Sequence, residues 1–156
     1  MSHLLVVRHG HAGDREKWDG PDERRPLSRK GRDQAAGLVD LLADFDITRV
    51  LSSNYLRCLE TVVPLACDRR RSIEVHPALA EGSSTADVGA LAAQLAGTTA
   101  VLCTHGDVIW NLLVDLAHHD QDLAMSKGST WIVEQTANGG LAAVRYLPPP
   151  PPPPPT

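Results

Sequence analysis

Three apolar, strand-like segments of the sequence end abruptly in polar residues that could do chemistry. The segments run into Arg8-His9-Gly10, into a polar stretch that leads to Arg57, and into Thr104-His105-Gly106. In an open α/β sheet, ligands bind in the crevice beyond the carboxyl ends of the strands. We therefore expect the two histidines and two arginines of these stretches to converge on one anionic ligand.

These residue types suit the hydrolysis of a phosphate ester or anhydride, which needs a nucleophile and cations around the phosphoryl oxygens. A neutral imidazole at His9 would attack phosphorus and form a phosphohistidine, which water would later hydrolyse. Arg8 and Arg57 would bind the phosphoryl oxygens as planar donor forks and would tend to lower the pKa of His9. His105 would be a second donor, helped by backbone amides at the start of the next helix.

Two carboxyl groups are candidates for the acid that protonates the leaving oxygen. Glu81 could hold a proton at neutral pH if burial or a nearby phosphate raised its pKa. Asp107 could serve instead, although a carboxylate at that position would also stabilise the start of a helix.

The polar loop over residues 11–27 is long enough to fold over the site, and its cations could bind outlying phosphates. Among them we favour Arg24 or Arg25 over the others, because Pro26 and a capped helix stiffen that end of the loop. Gly10 and Gly106, which follow the two histidines, complete the predicted substrate-binding set.

Two rival functions remain open. A metallohydrolase could use His9 and His11 with Asp14, or the cluster 118–120, His-His-Asp, but flanking arginines would repel a divalent ion. A non-catalytic phosphate-binding or scaffold module would leave the intact set of histidines and arginines unexplained. We predict an enzyme with no metal and no cofactor.

The elements that must position these residues alternate between strands and helices. Ser28 is a predicted N-cap, and apolar residues at helical spacing follow it to about residue 44. Pro64 is expected to kink or remove the last turn of the second helix. Asn138-Gly139 predicts a hairpin turn. The predicted strands are 4–7, 49–52, 73–75, 100–103, 131–135 and 141–146, and the predicted helices are about 28–44, 54–67, 84–96 and the segment after residue 105.

This alternation predicts an α/β fold: one domain with three α/β/α layers, a mainly parallel sheet and a C-terminal antiparallel hairpin. The 156 residues carry a net charge of −4 and only 4% aromatics, which disfavours a nucleic acid polymer as partner. No apolar run is long enough to span a membrane and no signal segment is evident, so we expect a cytoplasmic protein without membrane association. The three cysteines are expected to be buried thiols.

The sequence ends in eight consecutive prolines over 148–155. Proline lacks the N–H that would continue a sheet, so we expect a domain over 1–147 and a polyproline tail over 148–156. The tail is predicted to be a solvated rod of roughly 25 Å. The alternative is a ligand for a partner with an aromatic groove, which recognises this conformation.

The three motifs, in this order and spacing, resemble those of the histidine phosphatase superfamily, which is also called phosphoglycerate mutase-like. The resemblance spans about residues 3–147 and also includes Arg25-Pro26-Leu27-Ser28. It implies the roles given above for His9, Arg8, Arg57 and His105, and it implies that Glu81 is the general acid.

The resemblance leaves two subgroups open. Only 23 residues separate Glu81 from His105, which excludes a large lid and predicts a shallow site like that of the small SixA-type phosphohistidine phosphatases. Three other motifs are similar instead to those of the histidine phosphatase domain of mycobacterial MutT-type proteins: Arg25-Pro26-Leu27-Ser28, Cys103-Thr104-His105-Gly106 and Lys127-Gly128-Ser129. The expected substrate is therefore a phosphorylated protein bearing phosphohistidine or a small phosphomonoester, with a nucleotide or polyphosphate as the alternative.

Overall fold

A sheet of six strands lies between helices on both faces in the computed structural model of the chain, which describes residues 2–116, 124–136 and 139–155. The strand order is β3-β2-β4-β1-β5-β6, and the first four strands run parallel. The last two strands are antiparallel and form the predicted hairpin. The elements are β1 (His3–Arg8), α1 (Arg29–Leu41), β2 (Arg49–Ser52), α2 (Leu56–Arg69), β3 (Ile73–Val75), α3 (Thr85–Gln94), β4 (Ala100–Thr104), α4 (Gly106–Leu116), β5 (Thr130–Gln135) and β6 (Leu141–Leu147).

The central strands bury both of their faces, because successive side chains of a strand point to opposite sides of the sheet. In β1, Leu5 and Val7 join the core beneath α1 and α2, whereas Leu4 and Val6 join the core beneath α3 and α4. The predicted three-layer α/β/α fold is confirmed. Asn138, half of the predicted turn signal, lies outside the described residues.

The first helix begins as predicted, since the Ser28 hydroxyl accepts a hydrogen bond from the backbone N–H of Gly31 at 3.1 Å. The last turn of α2 is not lost, because the helix continues five residues beyond Pro64. Proline removes only one N–H, while Leu65 and Ala66 still pack into the core. Arg69 also donates to backbone carbonyls of the segment after α1, which anchors the last turn.

Two smaller expectations need correction. Cys58 and Cys103 are buried as expected, but Cys67 is exposed, because it lies on the outer face of α2. The tail is not a fully solvated rod: Pro150 is buried against α1, and a Cβ built on Gly37 would lie 2.5 Å from the Cβ of Pro150. The absent side chain at Gly37 makes room for this proline, while residues 151–155 are exposed. No helix within the described ranges is long and apolar enough to cross a membrane.

Candidate active site

The carboxyl ends of β1, β2 and β4 lie side by side and bring the three polar motifs together. The ladder pairs Arg8 with Thr104 and Ser52 with Cys103. One further backbone hydrogen bond extends the ladder on each side of β4. The N–H of His9 donates to the carbonyl of Thr104, and the N–H of Ser53 donates to the carbonyl of Cys103. His9, Ser53 and His105 therefore occupy equivalent places, each directly after a strand.

His9 is buried, with 6% of its surface exposed. Its Nδ1 lies 2.8 Å from the carbonyl oxygen of Gly10 and donates to it, which leaves the lone pair of Nε2 available for attack. The pKa of His9 is lowered to about 3, mainly by burial, and further by the charges of Arg57 and Arg8. The sequence interpretation assigned this effect to the arginines, whereas burial is its larger cause.

Gly10 lies behind the nucleophile rather than in the pocket. Its N–H donates to the Thr61 hydroxyl at 2.9 Å, and that hydroxyl donates to the carbonyl of Arg57 at 2.6 Å. A Cβ at Gly10 would come within 3.1 Å of the carbonyl oxygen of Gly31, a tight contact that glycine avoids. Gly10 thus positions His9 and α2 relative to each other, and no contact of Gly10 with the pocket supports its predicted role in binding substrate.

Arg57 stands in the first turn of α2 and is 1% exposed. Its two terminal nitrogens donate to Asp22, one to the carbonyl oxygen at 2.9 Å and one to the carboxylate at 3.0 Å. The guanidinium carbon lies 4.9 Å from the ring centre of Tyr55. These contacts fix the plane of the guanidinium group.

Arg8 leans across the start of α4. One terminal nitrogen donates to the carbonyl oxygen of Met125 at 2.9 Å. A Cβ at Gly106 would lie 2.9 Å from the guanidinium carbon, so glycine at this position makes room for Arg8. Burial lowers the pKa of Arg8, although the nearby Asp107 opposes that shift.

His105 is paired with a residue that the sequence interpretation overlooked. The hydroxyl of Ser53 accepts the backbone N–H of Tyr55 at 3.2 Å and lies 2.8 Å from Nε2 of His105. Because the hydroxyl already accepts one hydrogen bond there, its own proton is free to be donated to Nε2. That assignment leaves Nδ1 of the neutral ring as an N–H donor.

Arg8, His9, Arg57 and His105 form the part of the pocket that we call the floor. In the described part of the chain, three of its buried nitrogens have no hydrogen-bond partner: Arg8 Nε, Arg57 Nε and His105 Nδ1. Unpaired buried donors are rare and costly in proteins. Three such donors around one nucleophile are the arrangement that an anion with several oxygens would satisfy.

Arg15, Asp22 and Glu81 form a second layer that we call the rim. The carboxylate of Asp22 lies 3.0 Å from Arg57, 3.1 Å from Arg25 and 3.3 Å from Arg15. Although burial opposes the shift, hydrogen bonds and charges from these arginines hold the pKa of Asp22 below its ordinary value. The predicted polar loop therefore does fold over the site.

Glu81 is exposed and accepts a hydrogen bond from Arg15 at 2.8 Å. Of the two conditions considered from sequence, burial or a nearby phosphate, burial is not met in the described structure, because the Glu81 loop lies at the outer edge of the pocket. The loop is tied to α4, since the carboxylate of Asp107 accepts the backbone N–H of Gly82 at 2.8 Å. Asp107 thus holds the Glu81 loop in place.

The pocket has a volume of about 350 Å³ and collects most of the predicted residues. All five predicted catalytic residues line it, together with Arg25 and Gly106, whereas Gly10 and the exposed Arg24 do not. Ser53 could have been found by the same strand-end rule that found His9. Asp22 carries no such signal, because its contacts with the arginines depend on how the loop folds. The lining residues are Arg8, His9, Gly13, Arg15, Arg25, Arg57, Glu81, His105, Gly106, Asp107, Met125 and Lys127.

The metal sites considered from sequence are not assembled by the described residues. His11 lies 2.7 Å from the hydroxyl of Ser28 and does not line the pocket with His9. No group of three or more histidine, cysteine, aspartate or glutamate residues in ranges 2–116, 124–136 and 139–155 is placed to hold a metal ion. The alternative cluster at 118–120 lies outside these ranges.

Comparison with known proteins connects this geometry to one family. Residues 4–89 match the model of the histidine phosphatase superfamily (branch 1). The chain is also 36% identical over 153 residues to an 8-oxo-(d)GTP phosphatase of Mycolicibacterium smegmatis, in an alignment that covers 92% of this chain and 47% of the relative. The chain thus spans about half the length of that curated relative.

Solved structures with the same fold include two named for SixA. The protein histidine phosphatase SixA complexed with tungstate has a TM-score of 0.80 at 23% identity, over 93% of this chain and 96% of that chain. A putative phosphohistidine phosphatase SixA from Agrobacterium tumefaciens has a TM-score of 0.77 at 19% identity, over 95% and 98%. At these identities the two structures support the fold alone.

Proposed function

Because the chain belongs to the histidine phosphatase superfamily, we propose that it hydrolyses phosphohistidine or small phosphomonoesters through a covalent phosphohistidine on His9, without a metal ion. The observation that carries the proposal is the set of three unpartnered donors around His9 in the described structure. They belong to side chains that line the pocket with His9, whose pKa of about 3 keeps its imidazole unprotonated at neutral pH.

The proposed reaction has two displacements at phosphorus. In the first, the lone pair of His9 Nε2 forms an N–P bond while the P–O or P–N bond to the leaving group breaks. Arg8, Arg57 and His105 would donate to the three equatorial oxygens, where charge is concentrated in the transition state. In the second, water attacks phosphorus and gives its proton to the Glu81 carboxylate or to solvent, the N–P bond breaks, and its electron pair returns to His9.

Glu81 is the proposed proton donor when the leaving group is an alkoxide, which is unstable without a proton. Its place at the edge of the pocket supports this role, since a leaving group must point away from His9 for in-line attack. Arg25 and Gly106 are proposed to bind substrate, because both line the pocket. Arg24 does not line the pocket, and only its position in the loop beside Arg25 supports a role in binding substrate.

A second candidate is the hydrolysis of a nucleotide or polyphosphate. Two observations favour it: the matched relative is named an 8-oxo-(d)GTP phosphatase, and Arg15, Arg25 and Lys127 line the pocket in addition to the floor. These cations exceed what one phosphoryl group needs. A partner that binds the proline tail, and a cytoplasmic location, stay predictions.

The first test is the substitution His9→Ala, assayed with p-nitrophenyl phosphate. We expect activity to fall by at least a thousandfold in a folded protein, because the residue supplies the bond-forming atom. Alkaline quenching with labelled substrate should trap label on His9. Circular dichroism verifies the fold, and a strong chelator should leave wild-type activity intact. Full activity of folded His9→Ala would refute the mechanism.

A further inference from the structure

The turn that carries Lys127 is fixed to the nucleophile by its backbone. The N–H of Gly128 donates to the carbonyl oxygens of Arg8 and His9 at 3.1 and 3.0 Å. The carbonyl of Lys127 itself accepts a hydrogen bond from the Gln34 side chain at 3.1 Å. Gly128 has a φ of 85°, which glycine adopts without strain, and a Cβ there would meet Gln34 at 2.9 Å. Lys127 is thus held at a defined place beside the floor.

Lys127 is the residue that the linings of two pockets share. One is the catalytic pocket, and the other has a volume of about 550 Å³. A ligand long enough to occupy both pockets would contact Lys127, because this residue lines both. The second pocket is lined by His11, Lys30, Gln34, Ser126, Lys127 and Pro149–Pro152.

The charges around Lys127 are mostly of its own sign. The ion pairs formed within the described ranges engage Arg15, Arg25 and Arg57 with Asp22, but none of them includes Lys127. Burial, followed by the charges of four arginines, lowers the pKa of Lys127. An anionic group placed beside the half-buried ammonium would relieve this repulsion.

We propose that Lys127 binds a second phosphate group of the substrate, and that the substrate class is an organic diphosphate or triphosphate. The inference rests on the proposed function, the phosphatase mechanism through His9, and selects the second candidate class of substrate. The terminal phosphoryl group would be transferred to His9, the next phosphate would lie at Lys127, and the organic part would extend into the proline-lined pocket. When the P–O bond between the two phosphates breaks, the leaving phosphate takes the electron pair, and the ammonium group of Lys127 stabilises its new charge.

The test compares Lys127→Met with Lys17→Met, a control at an exposed loop lysine that does not line the catalytic pocket. Each variant is assayed with ADP and with p-nitrophenyl phosphate. Lys127→Met should lower the ratio of kcat/KM for ADP to that for p-nitrophenyl phosphate about tenfold, the effect of one charge-assisted contact. Lys127→Arg should restore most of the ratio, and the control should leave it unchanged.

Methylenediphosphonate, which cannot be hydrolysed, supplies a second readout. As an inhibitor it should bind the wild type more tightly than orthophosphate does, and Lys127→Met should remove that preference. Equal losses on both substrates would overturn the inference, as would a wild type that neither hydrolyses ADP nor prefers the diphosphonate. Neither result touches the proposed phosphatase, which fails only if folded His9→Ala keeps its activity.

Discussion

The floor and the rim of the pocket hold their side chains by different means. On the floor, His9 and His105 are more than nine-tenths buried, and each is oriented by a short hydrogen bond to a backbone carbonyl or a buried hydroxyl. On the rim, Arg15 and Glu81 are exposed and hold each other by an ion pair. The floor is therefore preorganised, whereas the rim is assembled from contacts that water can replace.

This difference has an energetic meaning. Exposed ion pairs contribute about 0–1 kcal/mol, whereas leaving a buried donor unpaired costs about 1–3 kcal/mol. A phosphate that enters the pocket can replace Asp22 as the anionic partner of Arg57 and Arg25 and satisfy the three floor nitrogens. The floor would thus supply the binding energy for phosphate, while the contacts of the rim would be exchanged. Substitutions on the floor should consequently cost far more than those on the rim.

The largest expected contrast is between two arginines. Arg57→Ala should lower kcat/KM for p-nitrophenyl phosphate by on the order of 100-fold or more, about 3 kcal/mol, because a fixed donor to developing charge is lost. Arg57→Lys should recover only part of this loss, since a point charge cannot replace a planar fork. Arg15→Ala, its counterpart on the rim, should cost less than about fivefold. Equal losses for Arg57→Ala and Arg15→Ala would contradict the distinction between floor and rim.

A smaller effect should be visible in stability against pH. The pKa of His9 is about 3 in the folded protein and 6.5 ordinarily, so the unfolded chain takes up the proton first as the pH falls. The free energy of unfolding should therefore drop below pH 6.5, by about 2 kcal/mol between pH 7 and pH 5 for this one group. Urea unfolding at both pH values should show that His9→Ala loses this part of the pH dependence. A wild type and variant with the same pH dependence would mean that His9 titrates normally.

The residues of the floor could be predicted from the sequence, whereas most contacts of the rim could not. His9, Arg57 and His105 could be predicted because each follows a buried strand at a fixed distance, and parallel strands bring their ends together. Asp22 could not be predicted, since its contacts cross a 35-residue separation to reach Arg57. The packing of Pro150 on Gly37 could not be predicted from the sequence either. It depends on the shape of the outer surface of α1, which no periodic pattern of residues indicates.

Ser53 tests how far the orientation of the floor depends on a single hydroxyl. Ser53→Ala removes the hydroxyl 2.8 Å from Nε2 of His105 and leaves only the weaker contact with the Cys58 thiol at 3.6 Å, so the ring can adopt the tautomer that presents no N–H at Nδ1. We expect kcat/KM for p-nitrophenyl phosphate to fall about tenfold, the effect of one hydrogen bond. Ser53→Thr keeps the hydroxyl and should recover most of it. Nitrogen NMR of His105 should report the tautomer, and an unchanged tautomer in Ser53→Ala would remove Ser53 from the site.

The smallest effect on p-nitrophenyl phosphate is expected at Glu81, on the rim. The leaving group of p-nitrophenyl phosphate needs little protonation. Glu81→Gln should therefore change kcat/KM for this substrate by about twofold at most. An alkyl phosphate has a poor leaving group, and its hydrolysis should slow at least tenfold if Glu81 donates the proton. ADP should behave like the activated ester, because its leaving phosphate is stable without a proton.

The comparison is valid only when transfer of the phosphoryl group to His9 limits the rate, which burst kinetics establish for each substrate. Arg15→Ala is the matched control, because it breaks the ion pair with Glu81 but leaves the carboxyl group in place. If Glu81 is the acid, Glu81→Gln alone should discriminate against the alkyl ester. Equal losses on all three substrates would show that Glu81 only shapes the rim, and that the floor performs the chemistry on groups that leave unaided.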